Sequence, residues 1–246
     1  MPSVLTLVEK EIDTLEPFSL SQVSPLTATG YGHTVIGTRN MNQDAFLVSP
    51  ERGLFAVADG ISGGLRGEDA SRMAIEGLIR HATQPDLLKP SVEWAQHEIL
   101  QEALASLGRP MMGTTLTAVQ LHDHEITLCH VGDSRCYVMS EGKLHQISMD
   151  HRVYDEKQRQ FVLSSYLGFP SDISPLLLQE ISIPVSSGTR ILLCTDGLHR
   201  QLPIDRVTAK VQSGQAPQEM VKELCDEAVQ IVERSDNVTV VYIEIK

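Results

Sequence analysis

Positive charge is what this sequence is short of. Its 246 residues carry 20 Lys and Arg against 32 Asp and Glu, a net charge of −12. That balance argues against nucleic acid or an anionic membrane surface as the main partner. The sequence also lacks an apolar run near the 18 or so residues of a membrane span, so no span is expected. Cysteine is scarce: Cys129, Cys136, Cys194 and Cys225 lie in apolar runs, with no C-x-x-C pair. No signal peptide leads the sequence, so buried free thiols in a reducing cytoplasm are expected. No internal repeat, linker or low-complexity stretch is visible. What remains is 41% hydrophobic and 21% charged, an ordinary globular composition, at a length that suits one domain with a sizeable core. Residues 1–25 read as a flexible lead-in or short helix, and 26–246 as a single domain.

One stretch organises the rest. Phe55-Ala56-Val57-Ala58 is a short apolar run that ends on Asp59, followed by glycines at 60, 63, 64 and 67. The run predicts a buried strand with Asp59 at its end, where a side chain reaches a cleft. Gly60 leaves the backbone bare, so its carbonyl can approach an ion or phosphate. Ala70, Met73, Ala74 and Leu78 then recur at helical spacing. Taken alone, this corner reads as an ordinary strand–turn–helix with Asp59 as a turn residue. Three other stretches change that: 191–198 ends a strand at Asp196-Gly197, 129–135 carries Gly132-Asp133, and Asp236 precedes the β-rich run 238–245. Converging carboxylates repel one another unless a cation sits between them, and hard cations take oxygen ligands. By contrast, His122 and His124 fall in a polar turn and read as solvated loop.

The remaining pattern is of mixed type. Helices are expected over about 68–82, again around Trp94–Leu107 after a loop at 83–90, and over 217–234. Short strands from Thr114 to Ser148 imply an antiparallel meander. Further strands are expected at 27–37, 45–48, 180–183, 190–194 and 238–245. The segment 152–178 reads as irregular, with a helix conceivable over Arg152–Phe161. Strand meanders interrupted by helical blocks suggest an α+β fold, with antiparallel sheets and helices packed outside.

In these residues the chain resembles the metal-dependent Ser/Thr protein phosphatase family, type 2C, in its bacterial form. The matching blocks are 39–44, 55–71, Gly113-Thr114-Thr115, 130–135, Asp150-His151, 192–198 and 236–239, in the family's order. The resemblance implies a four-layer αββα sandwich, two face-to-face antiparallel sheets flanked by helices. It implies hydrolysis of phosphoserine and phosphothreonine in proteins at a site with two Mn2+ or Mg2+ ions. Asp59 would bridge the ions, Gly60 would lend a carbonyl, and Asp196 and Asp236 would hold the second ion. Asp133 would share a third, weaker ion with Asp196. Arg39 would clamp phosphate through two parallel donors. Gln43 stands where eukaryotic relatives place a metal-contacting Glu, and Asp44 and Asn237 would support the ligands from behind. The implied partners are a phosphorylated protein substrate and an opposing Ser/Thr kinase, with the chain itself a monomer.

Two departures from the family pattern matter. Ile61 follows Gly60 where animal relatives carry a His thought to protonate the leaving alcohol. A metal-bound water, His33 or His151 would have to supply that proton. The stretch from His151 to Asp196 also looks short, as though the family's flap were trimmed or rewritten over Arg152–Asp172. Two rival readings stay open: a catalytically weak member that binds phosphoproteins, and a small-molecule phosphomonoesterase.

Overall fold

The computed structural model describes residues 25–61, 66–108, 111–170 and 175–246. The lead-in expected over 1–25 therefore lies, up to residue 24, outside the described residues. Ten strands form two five-stranded antiparallel sheets. The first runs in the order β1 (Ala28–Val35), β12 (Val238–Ile245), β11 (Arg190–Cys194), β6 (Arg135–Ser140), β7 (Lys143–Gln146). The second runs β10 (Gln179–Pro184), β5 (Glu125–Val131), β4 (Leu116–His122), β3 (Leu54–Asp59), β2 (Asp44–Ser49).

The period of two along the central strands builds the layers. On β3, Leu54, Ala56 and Ala58 point to one face, where they pack with Ala70, Ala74 and Leu78 of helix α1 (Gly67–His81) and Val92, Ala95 and Ile99 of helix α2 (Leu88–Leu107). Phe55 and Val57 point the other way, into a core shared with Leu193 of β11 and Val241 and Ile243 of β12. On β12, Val238, Val240 and Tyr242 face outward against Met220, Leu224 and Ala228 of helix α5 (Pro217–Gln230). Each sheet is thus apolar on both faces, because a helix layer covers one and the partner sheet the other. The result is the αββα sandwich. The sheets approach closely at β1, where a Cβ on Gly30 or Gly32 would lie 2.4 Å from the ring of Phe55 or Phe46. All four cysteines are buried free thiols. Among the described residues no helix is long and apolar enough to cross a membrane.

Several local expectations change. Arg152–Phe161 is not helical: β8 (Arg152–Asp155) pairs with β9 (Gln160–Leu163) as a separate hairpin. Asp155 decides this, since its Oδ1 accepts the N–H groups of Lys157 and Gln158 at 2.8 and 3.2 Å and folds the chain back. Helix α2 starts earlier than expected, because Pro90 sits in its first turn, where a missing N–H costs nothing. Its inward face is Val92, Ala95, Ile99 and Ala103, while Leu104 is exposed. Two short helices absent from the sequence reading, α3 (Asp196–His199) and α4 (Ile204–Val211), follow β11.

Antiparallel pairing also explains where a site can form. Asp44, at the start of β2, is the register partner of Asp59, at the end of β3. Cys194, at the end of β11, pairs with Arg135 at the start of β6 and with Val240 near the start of β12. The residues just outside these strand ends therefore gather at one end of the sandwich.

Candidate active site

At that end a cleft of about 550 Å³ is lined by Arg39, Asp59, Asp133, Asp196, Arg200 and Asp236, with the β8–β9 hairpin as one wall. Four of the aspartates singled out in the sequence share one cavity. Each is placed by backbone. The Asp59 N–H donates to Thr115 Oγ1 at 3.0 Å, and Thr115 N–H donates back to the Asp59 carbonyl at 2.9 Å. Asp196 opens α3 after Thr195. Asp236 Oδ1 accepts the N–H of Asn237 at 2.9 Å.

Asn237 fastens the loop that carries Arg39. Its Nδ2 donates to the carbonyls of Ile36 and Met41 at 2.8 and 3.1 Å, and its Oδ1 accepts the Gln43 N–H at 2.8 Å. Gly37 makes this approach feasible. It adopts φ +62°, and a Cβ there would lie 2.2 Å from the Asp236 carbonyl oxygen. Gly60 is equally constrained: its N–H donates to the Gln43 carbonyl at 3.0 Å, and a Cβ would lie 2.2 Å from the Gly67 carbonyl oxygen. The Gln43 amide donates to Glu68 Oε2 at 3.3 Å.

Behind the cleft, Asp44 is buried between the sheets. Its Oδ2 accepts hydroxyl bonds from Thr195 at 2.9 Å and Thr239 at 2.6 Å, while its Oδ1 has no hydrogen-bond partner. Burial raises its pKa to about 7 in spite of those two hydroxyls. Asp59 is held well above the usual carboxylate range, first by burial and then by repulsion from Asp44, Asp196, Asp133 and Asp236. Asp196 rises to about 6, again chiefly through burial, with Arg200 pulling it down and Asp133 and Asp236 pushing it up.

Guanidinium groups answer part of this negative charge. Arg39 Nε and Nη2 donate to Asp236 Oδ1 and Oδ2 at 2.9 and 2.6 Å. Arg200 Nη2 donates to Asp133 Oδ2 at 2.8 Å, and Nη1 forms an ion pair with Asp196 Oδ2, also at 2.8 Å. Arg152 reaches the same Asp133 oxygen at 3.6 Å. Among the described residues, no group of three or more His, Cys, Asp or Glu side chains stands in ready-made metal-binding geometry; the arginines hold oxygens that an ion would use. The donor set nevertheless fits hard ions at Asp59. It is made of oxygens, it is mutually repelling, it includes an unpartnered carboxylate oxygen on Asp44, and a bare backbone stands at Gly60.

Sequence reading missed Arg200 and Arg152. The signal for Arg200 was its position four residues after Asp196, the spacing of an ion pair across one helical turn. The two histidines considered as acids do not line the cleft. His33 lies on β1 opposite Val240, and the His151 Nδ1 accepts the Gly132 N–H at 3.2 Å. Ile61 does line it.

The profile of the family described as Protein phosphatase 2C matches residues 29–231. Among curated relatives, the serine/threonine protein phosphatase PstP of Mycobacterium tuberculosis is 27% identical over 234 residues, covering 84% of this chain and 43% of PstP. The chain thus spans less than half of that relative's length. The serine/threonine phosphatase Stp of Listeria monocytogenes is 24% identical, with 84% of this chain and 91% of Stp covered. Among solved structures, PppA, described as a key regulatory component of the type VI secretion system in Pseudomonas aeruginosa, superposes with a TM-score of 0.78 at 27% identity, covering 91% of this chain and 99% of that one. The catalytic domain of PstP, solved in complex with two manganese ions, superposes with a TM-score of 0.77 at 26% identity, covering 89% and 99%.

Proposed function

The chain belongs to the protein phosphatase 2C family, and from that premise we propose that residues 26–246 act as one catalytic unit that hydrolyses phosphoserine and phosphothreonine in proteins. The observation that carries this reading is the convergence of Asp59, Asp196 and Asp236 with Arg39 in one cleft. In this proposal Asp59 and the Gly60 carbonyl, with Asp196 and Asp236, hold two Mn2+ or Mg2+ ions. Ions there supply a water made nucleophilic at neutral pH and offset charge on the phosphoryl oxygens.

The chain's own residues do the rest. Asp44 draws its hydrogen bonds from Thr195 and Thr239, which ties the base of the site to both sheets. Asn237 holds the Arg39 loop against Asp236. Arg39, half exposed at the rim, grips the phosphoryl group through two parallel donors once it leaves Asp236. With Ile61 on the cleft wall and neither His33 nor His151 lining it, the leaving oxygen takes its proton from water. A Ser/Thr kinase is the reaction partner that must supply such a substrate.

The hairpin favours a polypeptide over a small phosphomonoester. Phe161 lines the cleft, and it and Tyr154, whose ring meets it edge-on at 5.4 Å, are each more than half exposed. A flanking peptide segment would cover them. The test compares catalytic efficiency on a phosphothreonine peptide with that on an aryl phosphate. A clear preference for the peptide supports the reading. Equal or better turnover of the aryl phosphate supports the small-molecule alternative.

A further inference from the structure

Asp133 and Asp196 are the pair that the family resemblance implies for a third, weaker ion. In the structure they share a guanidinium: Arg200 Nη2 lies 2.8 Å from Asp133 Oδ2, and Nη1 lies 2.8 Å from Asp196 Oδ2. We propose that Arg200 is a tethered cation in the third-ion position, so that this chain holds two exchangeable ions and one fixed guanidinium. The inference rests on the two-ion reading of the site and makes Arg200 a positioning residue for it.

The local fold commits Arg200 to this place. Its N–H donates to the Asp196 carbonyl at 3.0 Å, closing the single turn of α3, so side chains 196 and 200 stand on one face. The residue before it, His199, donates through Nε2 to the Asp133 carbonyl at 2.9 Å. One helical turn therefore fixes Asp133 by its backbone and by its carboxylate. The Asp133 side chain is only 4% exposed, and Arg152 approaches the same oxygen at 3.6 Å. A divalent ion entering between Asp133 and Asp196 would have to displace one guanidinium and sit against another, with the charge of both uncancelled. Arginine stays protonated throughout the accessible pH range, so acid or base does not vacate the position. Arg39 differs in kind. It engages one carboxylate from a rim loop, whereas Arg200 bridges two carboxylates from a helical turn.

The test counts manganese bound per chain, by equilibrium dialysis and calorimetry up to low millimolar concentration. It uses the wild type, Arg200→Ala and Arg200→Gln, with circular dichroism as a check on folding. The Arg200 side chain is 44% exposed, so neither substitution opens a core. The expected result is two ions for the wild type and a third, millimolar ion in both variants. Three ions in the wild type would overturn the role of Arg200 and leave the two-ion site standing. Variants that stay at two ions would also overturn it. A wild type that binds no manganese would overturn the two-ion reading itself, and this inference with it.

Discussion

Arg39 and Asp236 are joined by two nearly parallel hydrogen bonds, of 2.9 and 2.6 Å, across the mouth of the cleft. The side chain proposed to grip phosphate thus holds a side chain proposed to hold an ion. An ion held by Asp236 would have to compete with Arg39, whose freed guanidinium would then be available to a phosphoryl group. The Asp236 partner is also the main reason the Arg39 pKa lies above its ordinary value.

Arg39→Ala should therefore lower catalytic efficiency on a phosphopeptide by roughly ten- to a hundredfold, the loss of a charge-assisted contact worth about 1.5–3 kcal/mol. The change should fall mainly on KM, and inorganic phosphate should inhibit the variant less well. Manganese affinity should hold or improve, because Asp236 loses a competitor. A metal titration of both proteins separates these effects. Weaker manganese binding with unchanged phosphate inhibition would remove Arg39 from the clamp.

Asp59→Asn should abolish turnover while leaving the metal-free protein folded and at least as stable as the wild type. Burial and then four neighbouring carboxylates disfavour the charged form of Asp59, and a neutral amide is free of both costs. Thermal denaturation in chelator, alongside a turnover assay in manganese, gives both readings. A variant with near wild-type turnover at saturating metal would take Asp59 off the site.

Asp59 and Asp196 were legible because a buried strand followed by Asp and Gly is a local pattern, and β3 and β11 both show it; Asp133, after its glycine, and Asp236, just before β12, are variants of that pattern. Antiparallel register then brings the ends together without further information. Arg200 was not legible in that way. The reading stopped at Asp196-Gly197, and a one-turn helix of four residues has no apolar period to announce it. The β8–β9 hairpin escaped for a similar reason. Its turn, Glu156-Lys157-Gln158-Arg159, is polar enough for a helix, and only the Asp155 side chain, by capping Lys157 and Gln158, selects the turn. His151 was a reasonable acid by sequence neighbourhood, yet its ring turns inward to the Gly132 N–H, which no spacing reveals. The strand meanders and helical blocks pointed to antiparallel sheets with helices outside, and the family resemblance supplied the four-layer order.

The hairpin supplies a prediction about substrate choice. Phe161→Ala should reduce efficiency on a phosphopeptide severalfold and leave turnover of an aryl phosphate nearly unchanged. Phe161 is 58% exposed, so the change costs little stability. Parallel kinetics on the two substrates checks it. An equal effect on both would assign Phe161 to the shape of the cleft instead of to peptide contact.

One contribution to stability, that of a buried histidine outside the carboxylate cluster, should be lost in mild acid, while the raised carboxyls of Asp44 and Asp196 act in the opposite sense. His130 donates through Nε2 to the Met149 carbonyl at 3.1 Å, and burial, aided by His151, lowers its pKa from 6.5 to about 4. Between those values the unfolded chain binds a proton that the folded chain refuses. The contribution is fully present above pH 6.5 and is lost as pH falls toward 4. At pH 5 the loss is about 2 kcal/mol. Urea unfolding at pH 7 and pH 5 measures it. From pH 7 to pH 5 the wild type should lose about 2 kcal/mol relative to His130→Gln, and an unchanged difference between the two proteins would give His130 no part in the acid response.

The central claim is that the aspartate cleft works through bound metal ions. The most direct measurement is phosphate release from a phosphothreonine peptide by protein stripped with a chelator, its metal content verified, before and after manganese is restored. The account predicts no turnover in the stripped protein and full recovery with manganese, and no recovery in Asp236→Ala. Full turnover by verified metal-free protein would contradict it.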